Sequence, residues 1–478
     1  MNVYIQDAIP RIILLGDIML DHNIQGTSRR IANEAPIPVI NCVKESYSIG
    51  GCGNVLANLF GLGAKTVFLF SSIGEDKHGT QLLSLLPTDT VNYITVDPNT
   101  ITTTKHRIYS DKKLMCRYDN ESYKETTLAQ EDNIVENITT ILETQSITSV
   151  VFSDYKKGFL TKSLCQRVIA LCNQKSVPTI VDPKQNHYTN CTVIKPNRME
   201  TKNIFGIELT TMEEGHRLLH EKTGCTTSVI TLSEDGISAY STAINDGSLH
   251  CYKEEVKEII DVTGAGDVVC SVLGVYYPFI KDIDLLIKIA SHLASISISH
   301  IGVYTITQHD LLQTYRAIHP TKQIQLRHPF PHLLESLRSV NPIVFTNGCF
   351  DILHSAHLEL FKFCKKIGGI VVVGLNSDNS IRRLKGPTRP IFKLEDRIKM
   401  LEALEYIDFI IPFEEDTPVE LLKVLKPHYL VKGGDYTKES IIGKEYANEV
   451  LLFNYIDGKS TTNTIATIQS IYKVQSKD

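Results

Sequence analysis

Short apolar runs rich in β-branched residues recur at residues 12–15, 67–70, 149–153, 179–181, 193–195 and 228–232, and stretches with helical spacing lie between them. Strands alternating with helices in this way predict βαβ units over about residues 11–317. The pattern then lapses. Residues 318–331 hold three prolines, two histidines and several polar side chains without a clear period, which places a linker at 318–340. A helix near 332–339 is expected to lead out of it. The alternation resumes on a smaller scale, with strands expected at 343–346, 370–375, 407–412, 429–432 and 450–454. Helices are expected from His354, over 394–404, from Thr417 and from Ser460. Thr417-Pro418 reads as a helix start, with threonine as cap and proline at the first helical position. The chain is therefore expected to be α/β, with domains at 1–317 and 341–478. The second is a smaller doubly wound sheet whose ligands sit at the carboxyl ends of its strands.

Composition supports two domains. The 478 residues, 42% hydrophobic and 22% charged, supply material for sizeable cores and show no bias toward disorder. A net charge of −5 and a pI near 6.4 argue against a general nucleic-acid binder and for small anionic ligands. The 11 cysteines are odd in number and form no Cys-x-x-Cys, as expected of reduced thiols rather than disulfides or a zinc site. The first residues lack a basic segment, and Asp17 breaks the apolar stretch 12–20, so neither a signal peptide nor a membrane span is read. Cytoplasmic residence is the expectation.

Thr263-Gly264-Ala265-Gly266-Asp267 precedes the apolar run 268–277, so glycine-rich backbone feeds a helix N-terminus able to hold a phosphoryl group. Asp267 then stands where a substrate hydroxyl would be deprotonated. A tight turn with Asp267 as a mere helix cap is the plainer alternative. Gly16-Asp17 and Asp21 follow the first strand, and Gly50-Gly51-Cys52-Gly53-Asn54 opens the next helix, a set suited to sugar hydroxyls. Together with Asn197-x-x-Glu200, these motifs resemble the ribokinase family of sugar kinases across residues 11–317. The resemblance implies that Asp267 is the general base and that the amides of Gly264, Ala265 and Gly266 form the anion hole. It also implies that Asn197 and Glu200 organise magnesium and the ATP phosphates. Lys105, Arg107 and Arg117 could clamp a phosphate already carried by the sugar. Asp154, Lys157 and Asp182 end strands and point at the cleft, and Ser233 and Gly236 border the nucleotide.

A different phosphate chemistry lies downstream. An apolar run and an Asn347-Gly348 turn lead into Cys349-Phe350-Asp351-Ile352-Leu353-His354-Ser355-Ala356-His357. A helix opening near Leu353 would project both imidazoles from one face beside free N–H groups and the positive end of the dipole, as a triphosphate requires. A surface pair, or half of a metal site with Glu359, is the alternative. The segment resembles the nucleotidyltransferase superfamily signature, supported by Asn376-Ser-Asp378, Arg383-Leu-Lys385-Gly386, Lys432-Gly433-Gly-Asp435 and Ser460-Thr461-Thr462. That resemblance implies a Rossmann-like domain in which the histidines neutralise the α-phosphate while a phosphorylated substrate attacks, without a covalent intermediate. Ala356 stands where that family usually has glycine, and slower transfer is the expectation.

A ribokinase-like domain joined in this order to a nucleotidyltransferase domain resembles the family of bifunctional heptose-phosphate kinases and adenylyltransferases of lipopolysaccharide core assembly. The resemblance implies ATP-dependent phosphorylation of D-glycero-β-D-manno-heptose 7-phosphate at C1. A separate bisphosphate phosphatase acts next, and adenylyl transfer from ATP to heptose 1-phosphate follows. Magnesium would serve both steps, and a homodimer would form through the first domain. Another sugar kinase fused to a cytidylyltransferase, or a nucleotide-binding scaffold of reduced activity, are the alternatives.

Overall fold

The computed structural model describes residues 10–111, 113–244, 247–255, 259–318, 321–324, 342–433, 437 and 440–453. The expected helices at 332–339 and from Ser460, most of the expected linker, and Asp435, Ser460 and Thr461 lie outside the described residues. The chain divides into two compact units, Met1–Thr314 and Tyr315–Asp478.

In chain order the strands of the first unit are β1 (Arg11–Gly16), β2 (Ile18–Ile31), β3 (Pro38–Gly51), β4 (Thr66–Gly74), β5 (Thr90–Asp97), β6 (Thr104–Ser110), β7 (Lys113–Asn120), β8 (Ser149–Ser153), β9 (Thr179–Asp182), β10 (Val193–Ile194), β11 (Thr227–Thr231), β12 (Ile237–Ser241) and β13 (Leu249–Tyr252). Among the described residues, nine form one sheet in the order β13-β12-β11-β10-β9-β8-β1-β4-β5. Every neighbouring pair is parallel except β11–β12 and β12–β13. Central strands of a parallel sheet carry helices on both faces and so lack polar alternation. Ile12 through Leu15 are accordingly all fully buried. Ile13 and Leu15 face a core closed by Ile138 of helix Leu128–Thr144 and Val168 of helix Lys162–Gln174. Each such side chain contributes roughly 1.5–3 kcal/mol on burial. Val151 points to the opposite face, where helix Ala265–Tyr276 approaches so closely that a Cβ on Gly274 would lie 2.9 Å from the valine side chain.

The second sheet of this unit was not anticipated from the apolar runs. It has four strands in the order β3-β2-β6-β7, with β2–β3 and β6–β7 antiparallel and β2–β6 parallel. Its strands alternate instead of running apolar. One face brings Asp21, Lys105 and Asp119 into one cross-strand row and Asn23, Arg107 and Arg117 into the next. The other face stacks His22 on Tyr47 and His106 on Tyr118.

The second unit holds β14 (Ile343–Gly348), β15 (Ile370–Asn376), β16 (Phe409–Phe413), β17 (Tyr429–Gly433) and β18 (Glu449–Phe453). They form a five-stranded, wholly parallel sheet in the order β16-β15-β14-β17-β18. Strand order reverses on either side of β14, so a ligand crevice is expected at its carboxyl end. Helix Ser355–Ile367 follows β14 directly and packs Leu360, Phe361 and Cys364 into the core. Helix Val419–Leu425 starts one residue later than its sequence suggests: Pro418 itself is the N-cap, and Thr417 lies outside. Among the described residues, no helix is long and apolar enough to cross a membrane.

Candidate active sites

Helix Ala265–Tyr276 opens at Gly264, whose left-handed φ of 86° permits the sharp entry that a residue with a side chain disfavours. The next turn carries Asp267, buried among groups from three other parts of the chain. Its Oδ2 accepts from Asn54 Nδ2 at 2.7 Å, and its Oδ1 accepts from the Tyr155 hydroxyl at 2.6 Å. Burial raises the Asp267 pKa, and the bonds from Tyr155 and Asn54 pull it back. Asn54 is placed by helix Cys52–Gly61, which begins beside Gly50 and Gly51. A Cβ on Gly50 would lie 2.3 Å from Asp21 Oδ2, so only glycine leaves that carboxylate room.

The cationic face of the four-stranded sheet is unequal in its pairing. Arg107 binds Asp21 at 2.5 Å, and Arg117 grips Asp119 with two bonds of 2.9 and 2.5 Å. Lys105 makes no ion pair with a described residue. Its ammonium lies 5.4 Å from the centre of the Tyr155 ring, and burial lowers its pKa.

Asp17 and Asp154 are both buried and both engaged by loops. Asp17 accepts the backbone N–H groups of Tyr155, Lys157 and Phe159 at 2.9, 3.1 and 3.2 Å, and burial lifts it to about 6 in spite of them. It thereby fixes the loop from which Tyr155 reaches Asp267. Asp154 accepts from Lys156 N, Lys184 N and the Tyr188 hydroxyl, and Lys157 pairs with Glu121 at 2.5 Å.

Beyond the end of β10, Asn197 and Glu200 form a reciprocal capping box on helix Arg198–Phe205. Glu200 N donates to Asn197 Oδ1 at 2.8 Å, and Asn197 N donates to Glu200 Oε2 at 2.7 Å. The other Glu200 oxygen pairs with Lys184. Next to them Lys195, 2% exposed, meets Asp182 Oδ2 at 3.0 Å, while Asp182 Oδ1 is buried with no hydrogen-bond partner among the described residues. Burial opposes the charge on Lys195, and Asp182, Cys270 and Glu200 together more than restore it. Ser233 and Gly236, both at positive φ, make the turn between β11 and β12, and a Cβ on Gly236 would lie 2.1 Å from Tyr252 O. An isolated bridge between Asn197 and Thr231 brings that turn toward the capping box.

In the second unit His354 is the N-cap of helix Ser355–Ile367 and stacks on His357 at 3.8 Å between ring centres. Burial first, and His354 second, lower the His357 pKa to about 4, so its imidazole is neutral near pH 7. Phe350, at φ 43°, sets its ring edge-on to His357 and beneath Gly348. Lys432 Nζ donates to the Asn347 side-chain oxygen Oδ1, has no carboxylate partner among the described residues, and is lowered to about 8 by burial. Gly433 ends β17 against Leu360 and Phe453.

Several expected nucleotide contacts are tied into the scaffold. Asp351 accepts from Arg389 Nε at 2.5 Å and from the N–H groups of Ile391 and Phe392. Arg397, fully buried, donates to the carbonyls of Cys349, Asn376 and Phe392 and to Asp378 Oδ1 at 2.7 Å. It thus pins the loop before the histidines to the end of β15. Lys385 is exposed at the end of helix Asp378–Lys385, within electrostatic reach of Cys349. Tyr155, Lys184, Lys195, Arg389 and Arg397 were not singled out from the sequence. Tyr155 and Lys195 carried the one signal available, a place just beyond the end of a strand.

Comparison with known proteins matches residues 10–310 to the pfkB family carbohydrate kinases and residues 345–476 to the cytidylyltransferase-like family. Solved structures of phosphofructokinase-2 from Escherichia coli share the fold of the first unit, with a TM-score of 0.52 at 15% identity over 65% of this chain and 99% of that one. The chain is 38% identical to "Bifunctional protein HldE" of Sulfurimonas denitrificans over 96% of its length and 97% of that protein's. It is 37% identical to the protein of that name from Helicobacter hepaticus over 97% of its length and 98% of that protein's. With a sugar-kinase domain and a nucleotidyltransferase-like domain matched in one chain and full-length relatives sharing both, the protein belongs to the family of bifunctional HldE enzymes.

Proposed function

We propose that this chain carries out two steps of ADP-heptose synthesis for lipopolysaccharide core assembly. Residues 1–317 phosphorylate D-glycero-β-D-manno-heptose 7-phosphate at C1 with ATP. After a separate phosphatase removes the 7-phosphate, residues 341–478, beyond a linker at 318–340, transfer adenylyl from ATP to heptose 1-phosphate and release pyrophosphate. The observation that supports the reading is a pair of chemically distinct arrangements, each suited to phosphate. Asp267 stands at a glycine-opened helix, and His354 and His357 stack at another.

In the kinase step the C1 hydroxyl gives its proton to Asp267, and its oxygen forms a bond to the γ-phosphorus as the bond to ADP breaks. The amides of Gly264, Ala265 and Gly266 receive the charge that develops on the phosphoryl oxygens. Asp21, Gly50, Gly51 and Asn54 hold the sugar, Lys105 its 7-phosphate, and Ser233 and Gly236 shape the nucleotide side. Asp17 and Asp154 act by fixing the loops around them. Kinases and nucleotidyltransferases of these kinds generally need magnesium, which would neutralise phosphate charge when bound. Here it would sit on the phosphates beside Asn197 and Glu200. Because both side chains are already hydrogen-bonded, they would reach it through water, and the unpartnered Asp182 Oδ1 is a fitting acceptor for such a water.

In the transferase step His354 and His357 contact the α-phosphate, Lys432 and Asn347 the phosphates or the attacking sugar phosphate, and the remaining motif residues, including Asp435, Ser460 and Thr461, complete the nucleotide site. A homodimer through the four-stranded sheet fits its exposed apolar side chains, such as Val43 at 76% and Leu114 at 54% exposure. Residence in the cytoplasm, where ATP and sugar phosphates are available, fits the substrates.

Isotope position tests the reading. Label from γ-³²P-ATP should enter heptose 7-phosphate, and label from α-³²P-ATP should enter heptose 1-phosphate. Preferential incorporation from α-³²P-CTP would replace the adenylyl assignment, and labelling of neither sugar would refute the heptose assignment.

A further inference from the structure

We propose that Lys195 is a charge-stabilising residue of the kinase site, presenting its ammonium to the transferring phosphoryl group through the space that Gly266 leaves open. The inference rests on the kinase reading above and deepens it.

Gly266 lies in the first turn of helix Ala265–Tyr276 and has no positive φ, so its backbone makes no demand for glycine. Space around it is also free, with one exception. A Cβ built on Gly266 meets a single neighbour within 4 Å, the Lys195 ammonium at 3.5 Å. An alanine would fit sterically, and its methyl group would cover that ammonium.

Lys195 comes from the segment after β10 and is 2% exposed, and its partner Asp182 ends β9. Burying two charges together is seldom a route to stability, since desolvation cancels much of their attraction. This pair lies beside the helix N-terminus, where backbone amides already collect anionic charge. Lys195 also lies within electrostatic reach of Asp267. A cation anchored by Asp182, with no side chain at residue 266 between it and the helix N-terminus, can meet negative charge as it builds on the phosphoryl oxygens, without reorganising. No covalent step is added: the oxygen–phosphorus bond forms, the bond to ADP breaks, and the proton passes to Asp267.

The test is steady-state kinetics of full-length wild type, Lys195→Met, Gly266→Ala and the double variant. Each is assayed for kinase turnover of heptose 7-phosphate and for transferase turnover of heptose 1-phosphate. Lys195→Met should lower kinase kcat by about 10²-fold or more, in the range of removing one preorganised donor. KM for the sugar phosphate should stay within about threefold, and transferase turnover should be unchanged. Gly266→Ala should also lower kcat, and adding it to Lys195→Met should cost little more, because both changes remove one interaction. A Lys195→Met kcat within threefold of wild type overturns the proposal. So does full multiplicativity of the two losses. If Lys195→Met fails to fold, Gly266→Ala alone decides: wild-type kcat in that variant is contrary. Absence of kinase turnover in wild type would instead sink the kinase reading itself.

Discussion

Asp267 is held by two neutral donors inside the protein, and this sets what each change around it should do. Asp267→Asn should lower kinase turnover by about 10²–10⁴-fold, the usual worth of a placed base, and leave transferase turnover unaffected. Burial raises the Asp267 pKa, while the Tyr155 and Asn54 bonds lower it. Deleting the Tyr155 hydroxyl therefore removes a hydrogen bond that keeps the base ionised. In Tyr155→Phe the acid limb of kinase kcat/KM should move to higher pH, with a loss of about 1.5–3 kcal/mol in transition-state stabilisation, the worth of a bond to a charged group. A limb that stays put would deny Tyr155 that role. Lys432 gives the opposite sign: burial lowers it to about 8, so activity that needs its ammonium should fall as pH rises through about 8. Lys432→Arg, which stays charged, should flatten that limb. Against the slower transfer expected of it, Ala356 is 4% exposed within the regular helix Ser355–Ile367, which favours a methyl turned away from the phosphate. Ala356→Gly should leave kcat unchanged and cost roughly 0.5–1 kcal/mol in stability by thermal melting. Glycines, aspartates and the histidine pair were legible because motif spacing survives in one dimension. Tyr155 and Lys195 were not, since their roles arise only where separate strand ends converge.

At the scale of elements, the parallel strands announced themselves as unbroken apolar runs, because both of their faces are covered. The four-stranded sheet was hidden because its strands alternate and read as polar connections. Yet the cations on that sheet differ in their pairing. Arg107 is committed to Asp21 and Arg117 to Asp119, which leaves Lys105 as the cation on that face without a described ion-pair partner. Lys105→Ala should raise KM for heptose 7-phosphate about tenfold or more, as expected for losing a charge-assisted contact. Arg117→Ala, which breaks an exposed pair worth little, should change it less than about threefold. Equal effects, or equal activity on substrates with and without the 7-phosphate, would contradict a clamp at Lys105. The capping box of Asn197 and Glu200 was legible as a motif and not as a geometry. The family resemblance implies a nucleotide role for both residues, and the structure shows each side chain bonded to the other's backbone N–H.

For the molecule as a whole, the chain divides into two compact units, Met1–Thr314 and Tyr315–Asp478, and the sequence pattern lapses just after that division, from about residue 318. A second copy of the chain is the expected partner for the exposed apolar edge of the four-stranded sheet. Val43→Glu should convert a dimer to a monomer by light scattering. The central claim is that the two reactions proceed at two independent sites. The direct measurement is phosphorus NMR of Asp267→Asn, of His354→Ala and of their equimolar mixture, each with magnesium, ATP, heptose 7-phosphate and a 7-phosphatase. His354→Ala should accumulate heptose 1-phosphate by way of the 1,7-bisphosphate, Asp267→Asn should leave the starting sugar at C1, and the mixture should form ADP-heptose. Failure of the mixture to form it, while each folded variant keeps neither activity, would contradict the account.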